Sequence, residues 1–483
     1  MSRQVTIDTK CGPVRGRADE DGVLSFLGIP YAAPPVGPQR FLPPEPPRPW
    51  TDVRDALAYG PTAPHVRAEG PVAALLPGEP IPGEDYLNLN IWTPDPEGAR
   101  PVMVFVHGGS FTSGSGAIPV YDGARFARRG VVLVTINYRL GADGFLWFGE
   151  DTPNLGLLDQ IAALTWIRDN IRAFGADPAN VTVFGESAGA MSACTLLAMP
   201  AAAGLFRRVI AQSGAAHCVM DPDSAVRIGV RLAEILGVAA TRPALASVPM
   251  PRLLAAQSQL AQEVVTEPDP RRWGNIAPTM MAFEPVVDGR VLPVAPLEAL
   301  RHGAGADVNI LVGTNTDEAN LFFVPTDVVR LADRAALDGF VHARGYPPSL
   351  ADRYRAALPE ASDGELISAI MTEEFYRVPA LEIARAHPGT YVYEFTWRSP
   401  ACGGAIGACH ALELPFVFDN VDDPGFAALL GAAPPRKLAE SMNRAWSAFA
   451  ATGDPGWPPY DETDRRVLCF GTPDRLTAVG EAP

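Results

Sequence analysis

Five short apolar runs form the pattern of the central part of the chain. They lie at residues 102–106, 131–136, 181–184, 209–212 and 308–312. Continuous apolar runs of this length are typical of parallel strands that are covered on both faces. Helical segments separate several of them, and residues 154–174 are the clearest helix because apolar side chains cover much of its surface. The alternation predicts an α/β protein with a large, doubly wound, mostly parallel sheet and helices on both faces.

The segments outside these runs add strands, a loop and two insertions. Residues 12–31, 87–92 and 391–397 have the pattern of further short strands. Residues 32–50 are so rich in proline that we expect an extended, irregular loop, with Phe41 and Trp50 as candidate anchors into the core. Residues 219–305 and 324–386 are predicted to be long insertions of helix and loop that shape a pocket. Since large α/β folds often form one unit, we expect residues 1–483 to form a single domain.

The overall composition narrows the class of partner. Hydrophobic residues make up 47% of the 483 residues and charged residues 19%, and no apolar run is long enough for a membrane span. The formal net charge of −16 repels nucleic acid and anionic membrane surfaces, so we expect neither as a partner. Residues 1–8 lack the basic and apolar regions of a secretory signal, which predicts a cytoplasmic location. Composition leaves the oligomeric state open.

The cysteines do not indicate a metal or redox site. None of the six forms a Cys-x-x-Cys pair, and their wide spacing does not suggest a disulfide framework. Cys402 and Cys409 bracket a glycine-rich loop and would bridge only in an oxidising compartment, so free thiols are the favoured interpretation. We expect no metal and no cofactor.

One short motif suggests nucleophilic chemistry. Residues 185–189 read Gly-x-Ser-x-Gly between an apolar strand and an apolar helix. In such a turn Gly185 and Gly189 let the two backbones approach closely, and Ser187 is held in a strained conformation with its hydroxyl exposed. Five letters alone are a weak signal. A serine nucleophile also needs a base, an acid that orients the base, and donors for the developing negative charge.

Candidates for the base and the acid follow later in the chain. In folds with this turn the order is serine, acid, histidine, which favours the late histidines. Of these, His410 lies in a loop of small residues just after a predicted strand, where its side chain can turn into a cleft. Asp317 and Glu318 stand side by side in the loop after the run that ends at residue 312. Spacing does not choose between them, and both would also suit the first turn of a helix.

A glycine-rich loop follows the strand at residues 102–106. It contains Gly108, Gly109 and Ser110, which offer backbone N–H groups that are little obstructed by side chains. The N–H of Ala188 would complete an oxyanion hole. A phosphate-binding loop is the alternative, but no Gly-Lys-Ser or Gly-Lys-Thr ending is present.

Several motifs together resemble the type-B carboxylesterases, the α/β-hydrolase family that includes bacterial para-nitrobenzyl esterases, animal carboxylesterases and cholinesterases. The resemblance implies that Ser187 is the nucleophile, His410 the base and Glu318, rather than Asp317, the acid. It also assigns the oxyanion hole to Gly108, Gly109, Ser110 and Ala188. The motifs lie at residues 26–32, 84–90, 107–111, 137–139, 185–189, 285–289, 317–318, 410 and 413–416.

Departures from this family's pattern bear on the substrate. Tyr86 stands where many members have the first cysteine of a disulfide, which agrees with a reducing compartment. Residues 61–83 contain no aromatic side chain, and Leu321 occupies an apparent choline-contacting aromatic position, so we do not expect choline esters to be preferred. Met280 and Met281 suggest an adaptable acyl pocket, although they would serve equally well as core filler. Further candidates for the pocket are Phe111 and Phe322.

We therefore expect a serine hydrolase of uncharged, small to medium carboxylic esters, with water completing the reaction. Amides, carbamates or lactones are alternative substrates for the same groups, and a non-catalytic binding relative is a more distant alternative. Glu186, adjacent to the serine, is predicted to be structural. Activity is expected to rise with pH as His410 becomes neutral, near pH 6.5 unless the site shifts its pKa.

Overall fold

A single mixed sheet organises the protein. The computed structural model describes residues 3–67, 69–76 and 78–478, and its thirteen strands join in the order β1-β2-β3-β5-β7-β6-β8-β9-β10-β11-β12-β13, with β4 beside β2. The strands are β1 (Gln4–Thr9), β2 (Gly12–Ala18), β3 (Leu24–Pro30), β4 (Arg54–Asp55), β5 (Asn88–Thr93), β6 (Arg100–Val106), β7 (Val132–Ile136), β8 (Ala176–Glu186), β9 (Arg208–Gln212), β10 (Asn309–Asn315), β11 (Tyr391–Phe395), β12 (Arg466–Phe470) and β13 (Arg475–Ala478).

The five apolar runs form the parallel centre of this sheet, as predicted. Strands β7, β6, β8, β9, β10, β11 and β12 run parallel to one another, whereas β7 and β12 pair antiparallel with β5 and β13 at the two ends of this block. Val104 pairs with Val183, which pairs with Val209, so these strands lie in register. The loops that leave β6, β8, β9 and β10 therefore emerge at one edge, where ligands bind in open α/β sheets.

Helices cover the sheet on both faces because alternate strand residues point to opposite sides. Val104 and Val183 belong to one apolar core, and their neighbours Phe105 and Phe184 belong to the other. The helices are α1 (Ala124–Arg128), α2 (Gly141–Phe145), α3 (Leu155–Asn170), α4 (Ala188–Leu196), α5 (Pro222–Leu236), α6 (Arg242–Ala246), α7 (Met250–Thr266), α8 (Pro270–Trp273), α9 (Pro296–Arg301), α10 (Asn320–Phe323), α11 (Val328–Leu331), α12 (Arg334–Ala343), α13 (Ser349–Ala357), α14 (Asp363–Met371), α15 (Val378–Ala386), α16 (Leu414–Val417), α17 (Ala427–Leu430) and α18 (Arg436–Thr452).

The two insertions consist of helices and loops, and the proline-rich segment is an irregular loop, whereas a role of the insertions in shaping a pocket stays a prediction. The first insertion contains α5 to α9 and the second α11 to α15, with a small apolar core of its own around Leu337 and Tyr354. A π-helical turn, Thr372–Arg377, joins α14 to α15. In the proline-rich loop Phe41 is buried, and the Trp50 indole N–H donates to the Pro13 carbonyl at 3.0 Å. The assignment of the whole chain to one domain stays a prediction.

Strands β1, β12 and β13 were not predicted. They lie towards the two ends of the sheet, and all four residues of β13 are exposed, so no apolar face marks that strand in the sequence. None of the helices in the described part of the chain is long and apolar enough to cross a membrane.

A buried ion pair joins the loop after β7 to α3, and it yields a stability prediction. Arg139 donates to both carboxylate oxygens of Asp159, at 2.8 and 2.7 Å, and the two side chains are 1% and 0% exposed. Asp159→Asn leaves a buried guanidinium without its anion, and we expect a loss of about 3–5 kcal/mol in the free energy of unfolding, measured by urea denaturation.

The matched control is Asp55→Asn, which breaks an exposed pair with Arg15. Surface pairs contribute about 0–1 kcal/mol, so this variant should unfold close to the wild type. Equal losses in the free energy of unfolding of the two variants would show that burial does not determine how much the ion pair contributes to stability.

Candidate active site

Ser187 occupies a sharp turn between β8 and α4. Its backbone φ is 55° and ψ is −124°, a conformation that costs a non-glycine residue about 1–3 kcal/mol. A Cβ atom on Gly185 would lie 2.4 Å from the Gly189 carbonyl carbon, and one on Gly189 would lie 1.9 Å from the Val106 oxygen. Only glycine therefore fits at both positions. The predicted strand, turn and helix are confirmed.

His410 and Glu318 meet beside this turn. The Nδ1 atom of His410 lies 2.7 Å from Oε2 of Glu318, and the two side chains are 6% and 0% exposed. The second carboxylate oxygen of Glu318 accepts the Asn315 N–H at 2.7 Å, and the His410 N–H donates to the Glu318 carbonyl at 3.1 Å. These contacts fix both the imidazole and the carboxylate that faces it.

Asp317 points away from the imidazole, although it precedes Glu318 directly. Its carboxylate accepts a hydrogen bond from the Arg398 guanidinium at 2.8 Å and another from the Ala408 N–H at 2.8 Å. The two adjacent carboxylates thus have separate partners, which sequence spacing alone left unresolved.

Glu186 is also part of the site. Its Oε1 atom lies 3.0 Å from Nε2 of His410, on the opposite side of the imidazole from Glu318. This oxygen receives no aligned hydrogen bond from the described residues, so the contact is electrostatic. Those residues also include no hydrogen bond between His410 and the Ser187 hydroxyl. Glu186 therefore lies where it can compete with Ser187 for Nε2, a contact that the prediction of a purely structural role missed.

The surrounding carboxylates favour the charged form of the imidazole. Burial by itself lowers the pKa of His410, but Glu186, the hydrogen bond with Glu318 and the charge of Glu413 together raise that pKa to about 9. Burial raises the pKa of Glu186 to about 8, against the opposing effect of the His410 charge. The two groups interact so closely that they titrate as a pair.

A pH profile tests this arrangement. The base must be neutral to accept a proton, so kcat/KM for a simple ester should rise with pH through an apparent pKa well above 6.5. Glu186→Gln removes one anion from beside the imidazolium and should move the rise to lower pH. Rates are best followed by titrating the released acid, after subtraction of the uncatalysed reaction.

Asp317→Asn serves as the control, because Asp317 does not contact the imidazole. It should leave the profile in place. An unchanged profile in Glu186→Gln would show that Glu186 does not influence the protonation of His410.

The glycine-rich loop after β6 packs directly against the serine turn. A Cβ atom on Gly108 would lie 3.1 Å from that of Ser187, and Gly109 and Ser110 have φ values of 113° and 52°. His107 stacks on Tyr138 with ring centroids 4.5 Å apart, and burial lowers the pKa of His107 to about 4. The loop is thus held by a neutral, buried imidazole.

A cavity of about 760 Å³ opens beside this loop. Gly108, Gly109 and Glu186 line its inner end, while the segment at residues 65–79 contributes mostly small and aliphatic side chains to its wall. Among the described residues, the aromatic rings that line it are those of Tyr121, Phe426 and His65. This wall is the segment whose lack of phenylalanine, tyrosine and tryptophan was noted in the sequence.

The predicted pocket residues have different surroundings. Phe322 is half-buried, with its ring 5.5 Å from that of His410, and Met280 and Met281 are also half-buried. Phe111 and Leu321 have no exposed surface and belong to the two apolar cores.

Tyr376, which the sequence analysis missed, lies 5.0 Å from the His410 ring. It projects from the π-helical turn, which has no signal in the hydrophobic pattern. Cys402 and Cys409 are free thiols, as favoured in the sequence analysis.

Comparison with known proteins agrees with this geometry. The model of the carboxylesterase family matches residues 3–479. This chain belongs to the carboxylesterase family. It is 40% identical to a para-nitrobenzyl esterase of Bacillus subtilis, over 97% of this chain and 95% of that protein. It is 37% identical to a phenmedipham hydrolase of Pseudarthrobacter oxydans, over 94% and 92%.

Solved structures of the family have the same fold. A carboxylesterase of Geobacillus stearothermophilus superposes with a TM-score of 0.85 at 39% identity, covering 98% of this chain and 97% of that one. A para-nitrobenzyl esterase structure gives a TM-score of 0.84 at 36% identity, covering 98% and 96%. The predicted α/β-hydrolase fold is confirmed, and the chain is a carboxylic ester hydrolase.

Proposed function

We propose that the hydrolysis proceeds through an acyl-enzyme on Ser187. His410 takes the serine proton as the hydroxyl attacks the ester carbonyl, and it then donates a proton to the departing alcohol. Glu318 orients the imidazole and stabilises its charge. Water then attacks the carbonyl of the acyl-enzyme while His410 takes its proton. His410 returns a proton to Ser187, and the acid is released. The observation that carries this proposal is the meeting of the strained serine turn with the His410–Glu318 pair at one edge of the sheet.

The negative charge on the carbonyl oxygen is proposed to develop beside the backbone N–H groups of Gly108, Gly109, Ser110 and Ala188. Ala188 is the first residue of α4, so its N–H has no acceptor within the helix. Each such donor stabilises a transition state by about 3 kcal/mol. The packing of Gly108 against Ser187 supports this assignment.

We further propose that the preferred substrates are small to medium carboxylic esters with an uncharged leaving group. The cavity beside Gly108 and Glu186 is wide and has a mostly aliphatic wall, which suits an apolar alcohol better than a quaternary ammonium. A cytoplasmic location stays a prediction.

Covalent labelling tests the nucleophile. A fluorophosphonate should phosphonylate Ser187, as located by mass spectrometry of the proteolysed protein, and activity should fall in step with labelling. Labelling at another residue, or none at all, would overturn the assignment of Ser187 as the nucleophile.

A substrate panel tests the bond that is cleaved. Acetate, butyrate and hexanoate esters should exceed the matched amides and carbamates in kcat/KM. A higher value for an amide or a carbamate would replace the proposed preference for esters.

A further inference from the structure

A buried arginine without an anionic partner lies near the proposed active site. Arg344 is 6% exposed, donates to the Pro278 carbonyl at 2.7 Å and contacts the Met371 sulfur at 3.7 Å. Its Nε atom has no acceptor, and no carboxylate of the described residues forms an ion pair with it. A buried charge is costly unless it is paired, so this guanidinium is suited to bind an anion.

A second polar side chain near Arg344, that of His217, also lacks partners among the described residues. Both ring nitrogens of His217 are covered and unpartnered, while the residue keeps some accessible surface. Burial, with a smaller effect from Arg344, lowers the pKa of His217 to about 4.

The π-helical turn connects this cluster to the proposed active site. The Phe375 ring centroid lies 5.4 Å from Arg344 Cζ and 5.0 Å from the His217 ring. The next residue, Tyr376, has its ring 4.9 Å from Phe375 and 5.0 Å from His410. One pair of aromatic neighbours thus separates the cluster from the proposed catalytic base.

The chain path also limits how far the cluster lies from Ser187. A Cβ atom on Gly214 would lie 2.4 Å from the Ser187 carbonyl oxygen. His217 follows three residues later, so its Cα lies within about 10 Å of that of Gly214. His217 therefore belongs to the segment that packs directly against the serine turn.

The cluster and the large cavity are formed by different residues. Gly108, Glu186 and Ala411 line the cavity, whereas Arg344, His217 and Phe375 are not among its lining residues in the described part of the chain. An ester bound at Ser187 has two halves, an alcohol and an acyl group. The residues that line the cavity and those of the Arg344 cluster can therefore contact different halves of the ester.

We propose that Arg344, assisted by His217, binds a carboxylate at the far end of the acyl group, so that monoesters of short dicarboxylic acids are substrates. This inference rests on the proposed acyl-enzyme function. The His217 imidazole supplies a hydrogen-bond donor near the guanidinium charge. The chain's net charge of −16 opposes anions only at long range, where salt screens it.

Matched esters test the proposal. The monoethyl esters of succinic, glutaric and adipic acids are compared with ethyl esters of monocarboxylic acids of the same chain length. In the wild type, at least one monoester should exceed its uncharged counterpart in kcat/KM. Arg344→Met should lower kcat/KM for that monoester about tenfold to a hundredfold, as expected for a lost charge-assisted hydrogen bond, and should change the uncharged ester by less than about threefold.

Arg334→Met is the control, because Arg334 begins helix α12, which ends directly before Arg344, and forms exposed ion pairs. It should change neither rate. If Arg344→Met does not fold, as judged by circular dichroism, Arg344→Lys and His217→Gln take its place. His217→Gln should selectively weaken monoester turnover, whereas Arg344→Lys should retain part of it.

Binding of glutarate provides a measurement that is independent of turnover. Calorimetry should detect glutarate binding to the wild type, with butyrate binding more weakly. The preference for glutarate over butyrate should be lost in Arg344→Met. A wild type without this preference in binding or turnover would leave Arg344 as a structural residue held between Phe340 and Phe375. Failure of all ester turnover together with selective glutarate binding would overturn the proposed function while supporting the subsite.

Discussion

Ser187→Ala should lower kcat for a short-chain nitrophenyl ester by about 10⁴- to 10⁶-fold. The proposed chemistry depends on one oxygen, and no neighbouring hydroxyl can replace it without moving the turn. Most of the remaining rate would come from binding and from the oxyanion donors, which the substitution leaves in place. The variant should remain folded, because alanine has the same backbone requirement at φ 55° and the serine hydroxyl has no hydrogen bond among the described residues.

Ser192→Ala is the matched control for this experiment. Ser192 is a buried serine on α4, and its hydroxyl accepts a hydrogen bond from Gln160 at 3.1 Å. Its replacement should reduce stability by about 1 kcal/mol and leave kcat within a few fold of the wild type. Substantial turnover by folded Ser187→Ala would overturn the proposed mechanism.

The second large effect is expected from Glu318→Gln, which should lower kcat/KM by about 10³- to 10⁴-fold. The carboxylate accepts a hydrogen bond at His410 Nδ1, so the proton-accepting lone pair remains on Nε2, and it stabilises the imidazolium that forms when the serine loses its proton. An amide supplies no negative charge. It also places an N–H group beside either the Asn315 N–H or Nδ1, both of which the carboxylate now accepts from.

Asp317→Asn is the control that separates this effect from the loss of any carboxylate charge in the loop. Its partners are Arg398 and the Ala408 N–H, so we expect kcat/KM to change by only a few fold. Stopped-flow measurement of acylation with both variants would assign the loss to the first chemical step. A large loss in Asp317→Asn with little change in Glu318→Gln would reverse the proposed assignment of the acid.

Local patterns in the sequence were sufficient for the centre of the fold. The apolar runs predicted the parallel strands because a strand buried on both faces has no polar side. The glycines at 185 and 189 predicted the serine turn because a Cβ atom at either position would clash with backbone. Proline density predicted the irregular loop at residues 32–50, since proline excludes regular hydrogen bonding.

The edges of the sheet were less predictable, because edge strands are not buried on both faces. The residues of β13 are all exposed, and β1 alternates apolar and polar residues, whereas the short apolar run at residues 467–470 in β12 was not recognised as a strand. Their pairing depends on backbone hydrogen bonds to neighbours that are already in place, and such bonds leave little trace in side-chain chemistry.

By itself, the sequence determined the doubly wound centre, the serine turn, and a shortlist of residues for the base, the acid and the oxyanion loop. The family resemblance implied Glu318 rather than Asp317 as the acid, but only the tertiary structure showed that Glu318 faces His410 and that Glu186 contacts the other side of the imidazole. It also brought Arg344 and His217, from two separate segments, against the Phe375 ring. Distances between residues far apart in the chain follow from how helices and strands pack, and neither hydrophobic period nor motif spacing encodes them.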